Sequence, residues 1–189
     1  MAEKEPTNQL RMRWPRERLT SPPAVTVPSG YGLRSYRPGD EPRFLALMDL
    51  AGWPGWHEDL LRHSLSRILP GGWFLAVHGS SGELVASAMA LHNYSGQNPF
   101  QGDLGWVAAD PAHRGHGLGR AVTAAATARL IAAGYTTICL GTEDWRIPAL
   151  RLYLRLGYVP VLHTADMPER WAAICRAADW PFTPDRWPT

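Results

Sequence analysis

The chain has 189 residues, of which 45% are hydrophobic and 19% are charged, a balance typical of a single globular domain. Its net charge of +2 comes from the first 18 residues, which carry five basic and three acidic side chains. The rest carries fourteen of each sign, so the electrostatic pattern of a nucleic-acid-binding protein is missing. No apolar run approaches the roughly 18–20 residues of a membrane span.

The two cysteines, Cys139 and Cys175, lie far apart in the sequence and form no metal-binding or redox pair. They are typical of reduced, buried thiols, and the amino terminus lacks the apolar stretch of a secretion signal. We therefore expect a cytoplasmic protein that holds no metal and has neither a nucleic-acid nor a membrane partner.

Residues 1–29 differ from the rest because they contain five prolines and show only a short mixed polar pattern. Prolines at this density interrupt helices, and chain ends are frequently poorly ordered. We predict a flexible, proline-rich tail. The alternative is a segment that docks on the body of the protein or on a second subunit.

The first half of the remaining chain predicts a strand, two amphipathic helices and an antiparallel hairpin. Pro42 follows two acidic residues, which is a helix start signal, and the segment Pro70-Gly71-Gly72 should end the second helix. The hairpin turns at Gly79–Gly82. The predicted strands lie at 31–36, 73–78 and 83–91, and the helices at about 41–51 and 57–69.

The second half alternates strands and helices, which makes the chain a mixed α/β protein. The predicted strands lie at about 102–109, 136–140 and 158–163, and the helices at about 119–133, 148–156 and 167–178. We divide the chain into the tail (1–29), a central domain (30–163) and a C-terminal helical extension (164–189).

The most informative segment is the glycine-rich loop from Arg114 to Arg120, between a strand and the long helix. Such a junction directs unpaired backbone N–H groups at one point, at the positive end of the helix dipole, so its natural ligand is a pyrophosphate. The dinucleotide fingerprint fails because Arg120 and Val122 stand where a third glycine is required. A Walker loop fails because the segment contains no lysine.

What remains is Arg-x-x-Gly-x-Gly at Arg114, Gly117 and Gly119, which resembles the pyrophosphate loop of the GNAT superfamily of acyl-CoA-dependent N-acyltransferases. Residues 146–158 are similar to that family's Asn-x-x-Ala-x-x-Leu/Phe-Tyr-x-x-x-Gly-Phe signature. The matching positions are Ala149, Leu152, Tyr153 and Gly157, while Arg146 stands where asparagine is usual and Tyr158 replaces phenylalanine. The two motifs follow in family order, and the resemblance covers about residues 31–163.

The resemblance implies a GNAT-like mixed sheet with two splayed central parallel strands, flanked by helices, and acetyl-CoA as co-substrate. The pantetheine arm would lie between the splayed strands and the pyrophosphate on the loop. The implied cofactor-binding residues are Val107, Ala109, Arg114, Gly115, His116, Gly117, Leu118, Gly119 and Arg120. His113 and His116 flank the loop, but no other ligand accompanies them at metal-binding spacing.

The resemblance also suggests catalytic residues. Tyr153 shares a helix face with Ala149 and Leu152 and is the candidate acid that protonates the departing thiolate. Asp103 and Glu143 are candidate bases, and a base that acts through water with no single essential residue is the alternative. Trp53 and Trp56 lie where this superfamily builds its acceptor wall, and they can enclose an aromatic or cationic amine.

We therefore predict an acetyltransferase that moves an acetyl group from acetyl-CoA to a primary amine, directly and without an acyl-enzyme. A small-molecule acceptor is favoured because the acceptor loop is aromatic and the domain carries no excess charge. The alternatives are a protein or peptide N-acetyltransferase and a non-catalytic acyl-CoA-binding regulatory module. A homodimer is a further possibility that the C-terminal tryptophans raise.

Overall fold

The computed structural model describes residues 9–94, 96 and 98–188. The strands are β1 (Leu10–Arg13), β2 (Tyr31–Ser35), β3 (Ile68–His78), β4 (Leu84–His92), β5 (Gln101–Ala109), β6 (Thr137–Thr142) and β7 (Val159–Val161). The helices are α1 (Glu41–Leu50), α2 (Glu58–Leu65), α3 (Leu118–Ala132), α4 (Ile147–Leu156) and α5 (Met167–Ala178). No helix among these residues is long and apolar enough to cross a membrane.

The strands form one mixed sheet in the order β2-β3-β4-β5-β6-β1-β7. Only β5 and β6 are parallel neighbours, and every other adjacent pair is antiparallel. This confirms the predicted α/β fold, in which a hairpin-rich first half meets a strand–helix second half at one parallel pair.

The prediction of a flexible tail is wrong for Leu10–Arg13, which form β1 in the interior of the sheet between β6 and β7. Leu10, Met12 and Trp14 are almost completely buried, while the residues between them are more exposed. Burying each such side chain contributes about 2 kcal/mol, enough to hold a short terminal segment in place. The apolar–arginine alternation at 10–14 is a strand pattern, and it is the signal that the prolines obscured.

Helix α2 is also shorter than predicted, because it ends at Leu65 and β3 begins at Ile68. Pro70, Gly71 and Gly72 do not end the helix but lie inside β3, where its register to β4 shifts between Ile68 and Trp73. A bulge of this kind accommodates proline and glycine within a strand.

The two faces of the sheet bury separate cores. Helices α1 and α2 cover one face with residues such as Phe44 and Leu61. Helices α3, α4 and α5 cover the other, where Trp171 of α5 is fully buried. The C-terminal segment, predicted as an extension, therefore packs into the same core as the central domain, and α5 has the predicted bounds.

Candidate active site

A cleft opens where the parallel strands separate. β5 and β6 pair only from Gln101↔Thr137 to Asp103↔Cys139, although β5 continues to Ala109 and β6 to Thr142. The space beyond the last pair is a cleft of about 760 Å³ lined by both strands. This confirms the predicted splayed strands.

The separation coincides with a bulge in β5. The register to β4 shifts between Ser87, opposite Ala108, and Met89, opposite Gly105, so β5 carries one extra residue there. Trp106 lies in this bulge with a φ of +51°, a left-handed value that is rare for a bulky residue. Because a bulge bends its strand and increases the local twist, it turns β5 away from β6.

The glycine loop follows β5 after a 3-10 turn at Pro111–His113, and Gly117 is the residue that precedes α3. Gly117 has a φ of +81°, and Gly115 has a φ of +83°, conformations in which a Cβ is strained. Within α3 and its cap, the first hydrogen-bonded N–H is that of Ala121, which donates to Gly117 O at 3.0 Å. The N–H groups of Leu118, Gly119 and Arg120 are therefore left for a ligand at the positive end of the helix.

The side chains of the loop contribute little to this site. Arg114, His116 and Arg120 are exposed, and Leu118 is buried in the core, so only its backbone is available. Val107 lines the cleft, and Ala109 pairs with Ala86 of β4 on the opposite edge of β5. This leaves an open strand edge beside an N–H cluster, an arrangement that fits a pantetheine–pyrophosphate chain.

A Tyr–His cluster ties the loop to the strands behind it. The hydroxyl of Tyr31 lies 2.9 Å from Nδ1 of His113, and its ring is 5.6 Å from that of His116. His78 completes the cluster, 4.9 Å from His113 between ring centres. In the described part of the chain, no group of three or more metal-ligating side chains suited to an ion was found.

Tyr153 lies on α4 and lines the cleft. Its ring is buried, and burial raises the pKa of the phenol well above its usual value, so the group is protonated at neutral pH. Within the described chain its hydroxyl has no hydrogen-bond partner, whereas that of the neighbouring Tyr158 lies 2.8 Å from Oγ1 of Thr127. Tyr153 is therefore a protonated phenol in the lining of the cleft.

Asp103 lines the base of the cleft, where β5 and β6 make their last pair. Its side chain is held in place, because Oδ2 accepts from the N–H of Tyr94 at 2.8 Å and Oδ1 from Nε2 of Gln101 at 2.6 Å.

Glu143 follows β6 and has both oxygens engaged. Oε1 accepts from Nε2 of Gln9 at 2.8 Å, and Oε2 pairs with Nε of Arg146 at 2.7 Å. Arg146, the departure from the family signature, also lies 3.6 Å from the ring centre of Trp53 and 4.1 Å from that of Trp145. Glu143 and Arg146 thus link three segments at the wall of the cleft.

The two predicted acceptor tryptophans have different positions. Trp53 lines the cleft together with Tyr94 and Trp106. Trp56 is nearly buried behind this wall, 4.3 Å from Trp106 and 5.3 Å from Phe44 between ring centres. Trp56 therefore supports the aromatic wall and is not part of the cleft lining.

The sequence did not indicate three further lining residues, Gln9, Arg11 and Arg13, because the segment that carries them was assigned to a tail. They alternate with the buried residues of β1, which places them on the cleft face of the sheet.

Comparison with known proteins identifies relatives of this arrangement. The profile of the acetyltransferase (GNAT) family matches residues 40–158. A mycothiol acetyltransferase of Thermobispora bispora is 36% identical over 78% of this chain and 52% of its own length, and one of Nocardia farcinica is 31% identical over 77% and 51%. The chain thus spans about half the length of these curated relatives. A crystal structure of a GCN5-related N-acetyltransferase from Sphaerobacter thermophilus superposes with a TM-score of 0.64 at 24% identity, over 80% of this chain and 47% of that one.

Proposed function

The chain belongs to the GNAT acetyltransferase family, and we propose that it transfers an acetyl group from acetyl-CoA to a primary amine of a small molecule. One observation carries the proposal: β5 leaves an open strand edge in the cleft beyond its last pair with β6, and the chain then leads through one 3-10 turn to the unpaired N–H groups at the start of α3. A molecule with a thioester at one end and a pyrophosphate at the other matches the open edge of β5 and the N–H groups before α3.

In this proposal the backbone holds the cofactor. The N–H groups from Gly115 to Arg120 bind the pyrophosphate, and the free backbone of β5 near Val107 and Ala109 binds the pantetheine arm. When bound, acetyl-CoA supplies the acetyl group and a thiolate leaving group. The side chains of Arg114 and Arg120 are exposed, so any charge-assisted contact that they make to the phosphates would add little to the binding by the backbone.

Tyr153 is the proposed general acid, because its phenol is protonated and free to donate into the cleft. A positioned acid contributes on the order of 10²–10⁴-fold. The oxygens of both candidate bases are engaged, those of Asp103 by Tyr94 and Gln101 and those of Glu143 by Gln9 and Arg146. We prefer Asp103 because it lies at the base of the cleft, where β5 and β6 make their last pair. Glu143 then positions the wall, and a water that bridges the amine to Asp103 completes the proton path.

Direct attack by the amine is favoured over an acyl-enzyme. Cys139 is the thiol that lines the cleft, and burial raises its pKa. Because the thiolate is the nucleophilic form, a thiol held protonated is a poor acyl carrier. The amine and the thioester must then meet in a ternary complex, where positioning supplies a large part of the rate.

The small-molecule acceptor rests on two arguments. The curated relatives are named for mycothiol, and the cleft wall of Trp53, Tyr94 and Trp106 encloses a compact ligand rather than an extended peptide. The amine would approach from this aromatic side of the cleft.

The test follows the release of free CoA thiol from acetyl-CoA with a panel of small amines and peptides. We expect amine-dependent release that is faster with small amines than with peptides. Cofactor binding without amine-dependent release would instead indicate a non-catalytic acyl-CoA-binding module, and faster release with peptides would indicate a protein acetyltransferase.

A further inference from the structure

Strand β1 brings an arginine into the cleft at a fixed position. In the pairing with β6, Arg13 lies opposite Cys139, one of the residues that line the cleft. Its chain neighbours Met12 and Trp14 are buried on the other face, so the strand cannot slide or rotate without exposing them. The guanidinium of Arg13 is therefore directed into the cleft before any substrate binds.

The charges around the cleft leave Arg13 without a carboxylate. Arg146 is paired with Glu143, and Arg11 has an interaction partner of its own. Within the described residues Arg13 forms no salt bridge, and its Nε is buried with no hydrogen-bond partner. The Arg13 side chain interacts with the thiol of Cys139, a neutral group at the raised pKa of that thiol.

A half-buried cation without a counter-charge favours an anionic ligand, because it has lost part of its hydration and gained no pairing in return. The planar fork of an arginine matches a carboxylate through two parallel hydrogen bonds. One unpaired guanidinium also matches the single charge of a carboxylate, whereas a phosphomonoester carries a charge of about −1.5 to −2 and would require a second cation.

We propose that Arg13 determines acceptor specificity by binding a carboxylate on the substrate, so that the acceptor is an amine of the amino-acid type. This inference rests on the proposed function, because it assigns the acceptor side of the same cleft. It places the substrate carboxylate against β1 and leaves the amine to face the split between β5 and β6.

The experiment compares L-amino acids with the matched L-amino-acid amides, which retain the amine and lose the charge. The measured quantity is the ratio of kcat/KM for acid over amide, in the wild type, Arg13→Gln and Arg13→Lys. Comparing the ratio between proteins cancels the different basicity of the two amines. Arg16→Gln, which removes an exposed arginine three residues further along the chain, is the matched control.

We expect the ratio to favour acids in the wild type and to fall about tenfold in Arg13→Gln, through KM rather than kcat, because a charge-assisted hydrogen-bond pair is lost. Arg13→Lys should retain part of the preference, and Arg16→Gln all of it. The proposal would be overturned if the wild type had the same kcat/KM for amides as for acids. It would also be overturned if Arg13→Gln lowered kcat/KM equally for acids and amides.

Calorimetric titration of the same acids and amides into the CoA-saturated enzyme separates this inference from the proposed function. If no amine is acetylated, the proposed function fails, but tighter acid binding that is lost in Arg13→Gln still supports the carboxylate site. Equal binding of acids and amides, or no binding of any acid, contradicts it.

Discussion

The glycine loop and the cleft are built from different parts of the polypeptide. In the loop before α3, the available groups are backbone N–H groups from one continuous segment, and Gly117 is required for its conformation. In the cleft, the lining includes side chains such as Arg13, Trp53 and Glu143, which come from segments far apart in the sequence.

The difference shows which half of a site a sequence reveals. A backbone site depends on local conformation, so its residues must be contiguous and rich in glycine, and the pattern can be read directly. A side-chain site depends on which strands become neighbours. Its members carry no common spacing, and we expect each substitution there to alter specificity while acetyl-CoA binding stays intact.

The largest effect is expected from a substitution that places a carboxylate in the glycine loop. Gly117→Glu should weaken acetyl-CoA binding by at least about a hundredfold, because the new charge repels the phosphates and the left-handed φ strains the loop. Calorimetry measures the affinity.

Gly82→Glu is the matched control, since Gly82 also has a left-handed φ, of +74°, and open space around its Cβ, but lies in the turn between β3 and β4. The two variants should lose similar stability in a melting experiment. Similar acetyl-CoA affinities would show that the loop does not bind the cofactor.

The next largest effect is expected from removing the phenol of Tyr153, the proposed general acid. Tyr153→Phe should lower kcat about a hundredfold with little change in acetyl-CoA affinity, since it removes one proton donor. Because burial raises the pKa of Tyr153, the acid form persists as pH rises, so the wild type should show no alkaline loss of kcat from this residue below about pH 10.

Tyr158→Phe provides the contrast, because that hydroxyl contacts Thr127 inside the core. It should lower the free energy of unfolding by about 1 kcal/mol and leave kcat nearly unchanged. Full turnover by Tyr153→Phe would reject the acid role.

The sequence predicted most elements of the fold and the entire glycine loop, because hydrophobic periodicity and glycine placement act over a few residues. It missed β1, because the pairing partners of β1 are more than 120 positions away. It also predicted Trp56 as part of the acceptor wall with Trp53, although packing buries Trp56 and leaves Trp53 in the lining. The interactions that hold Glu143 in place could not be inferred either, since Gln9 reaches it only through the sheet order.

A smaller effect is expected from a substitution among the side chains that line the cleft. Arg146→Asn introduces the residue usual in the family. It removes the contacts of Arg146 to Trp53 and Glu143, so Trp53 in the proposed acceptor wall is held less firmly. We expect about a fivefold rise in KM for the amine, with acetyl-CoA affinity unchanged.

Arg62→Asn, which breaks an exposed ion pair with Asp59, should change neither constant. A rise in KM for acetyl-CoA in Arg146→Asn would mean that the cleft lining and the glycine loop do not bind the two substrates independently.

The smallest effect tests the hydrogen bond between Tyr31 and His113, the residue that precedes the loop. Tyr31→Phe removes the hydrogen bond to His113 and should weaken acetyl-CoA binding about two- to threefold, because the loop is less well positioned. Tyr135→Phe removes a similar bond to His92 away from the loop and should have no effect on that affinity.

Backbone hydrogen exchange with and without acetyl-CoA tests most directly whether the loop holds the cofactor through its N–H groups. The N–H groups of residues 115–120, together with those near Val107, should exchange more slowly when acetyl-CoA is bound, while those of residues 51–57 keep their rates. Unchanged exchange at 115–120 despite saturating acetyl-CoA, or slowing confined to residues 51–57, would contradict the account.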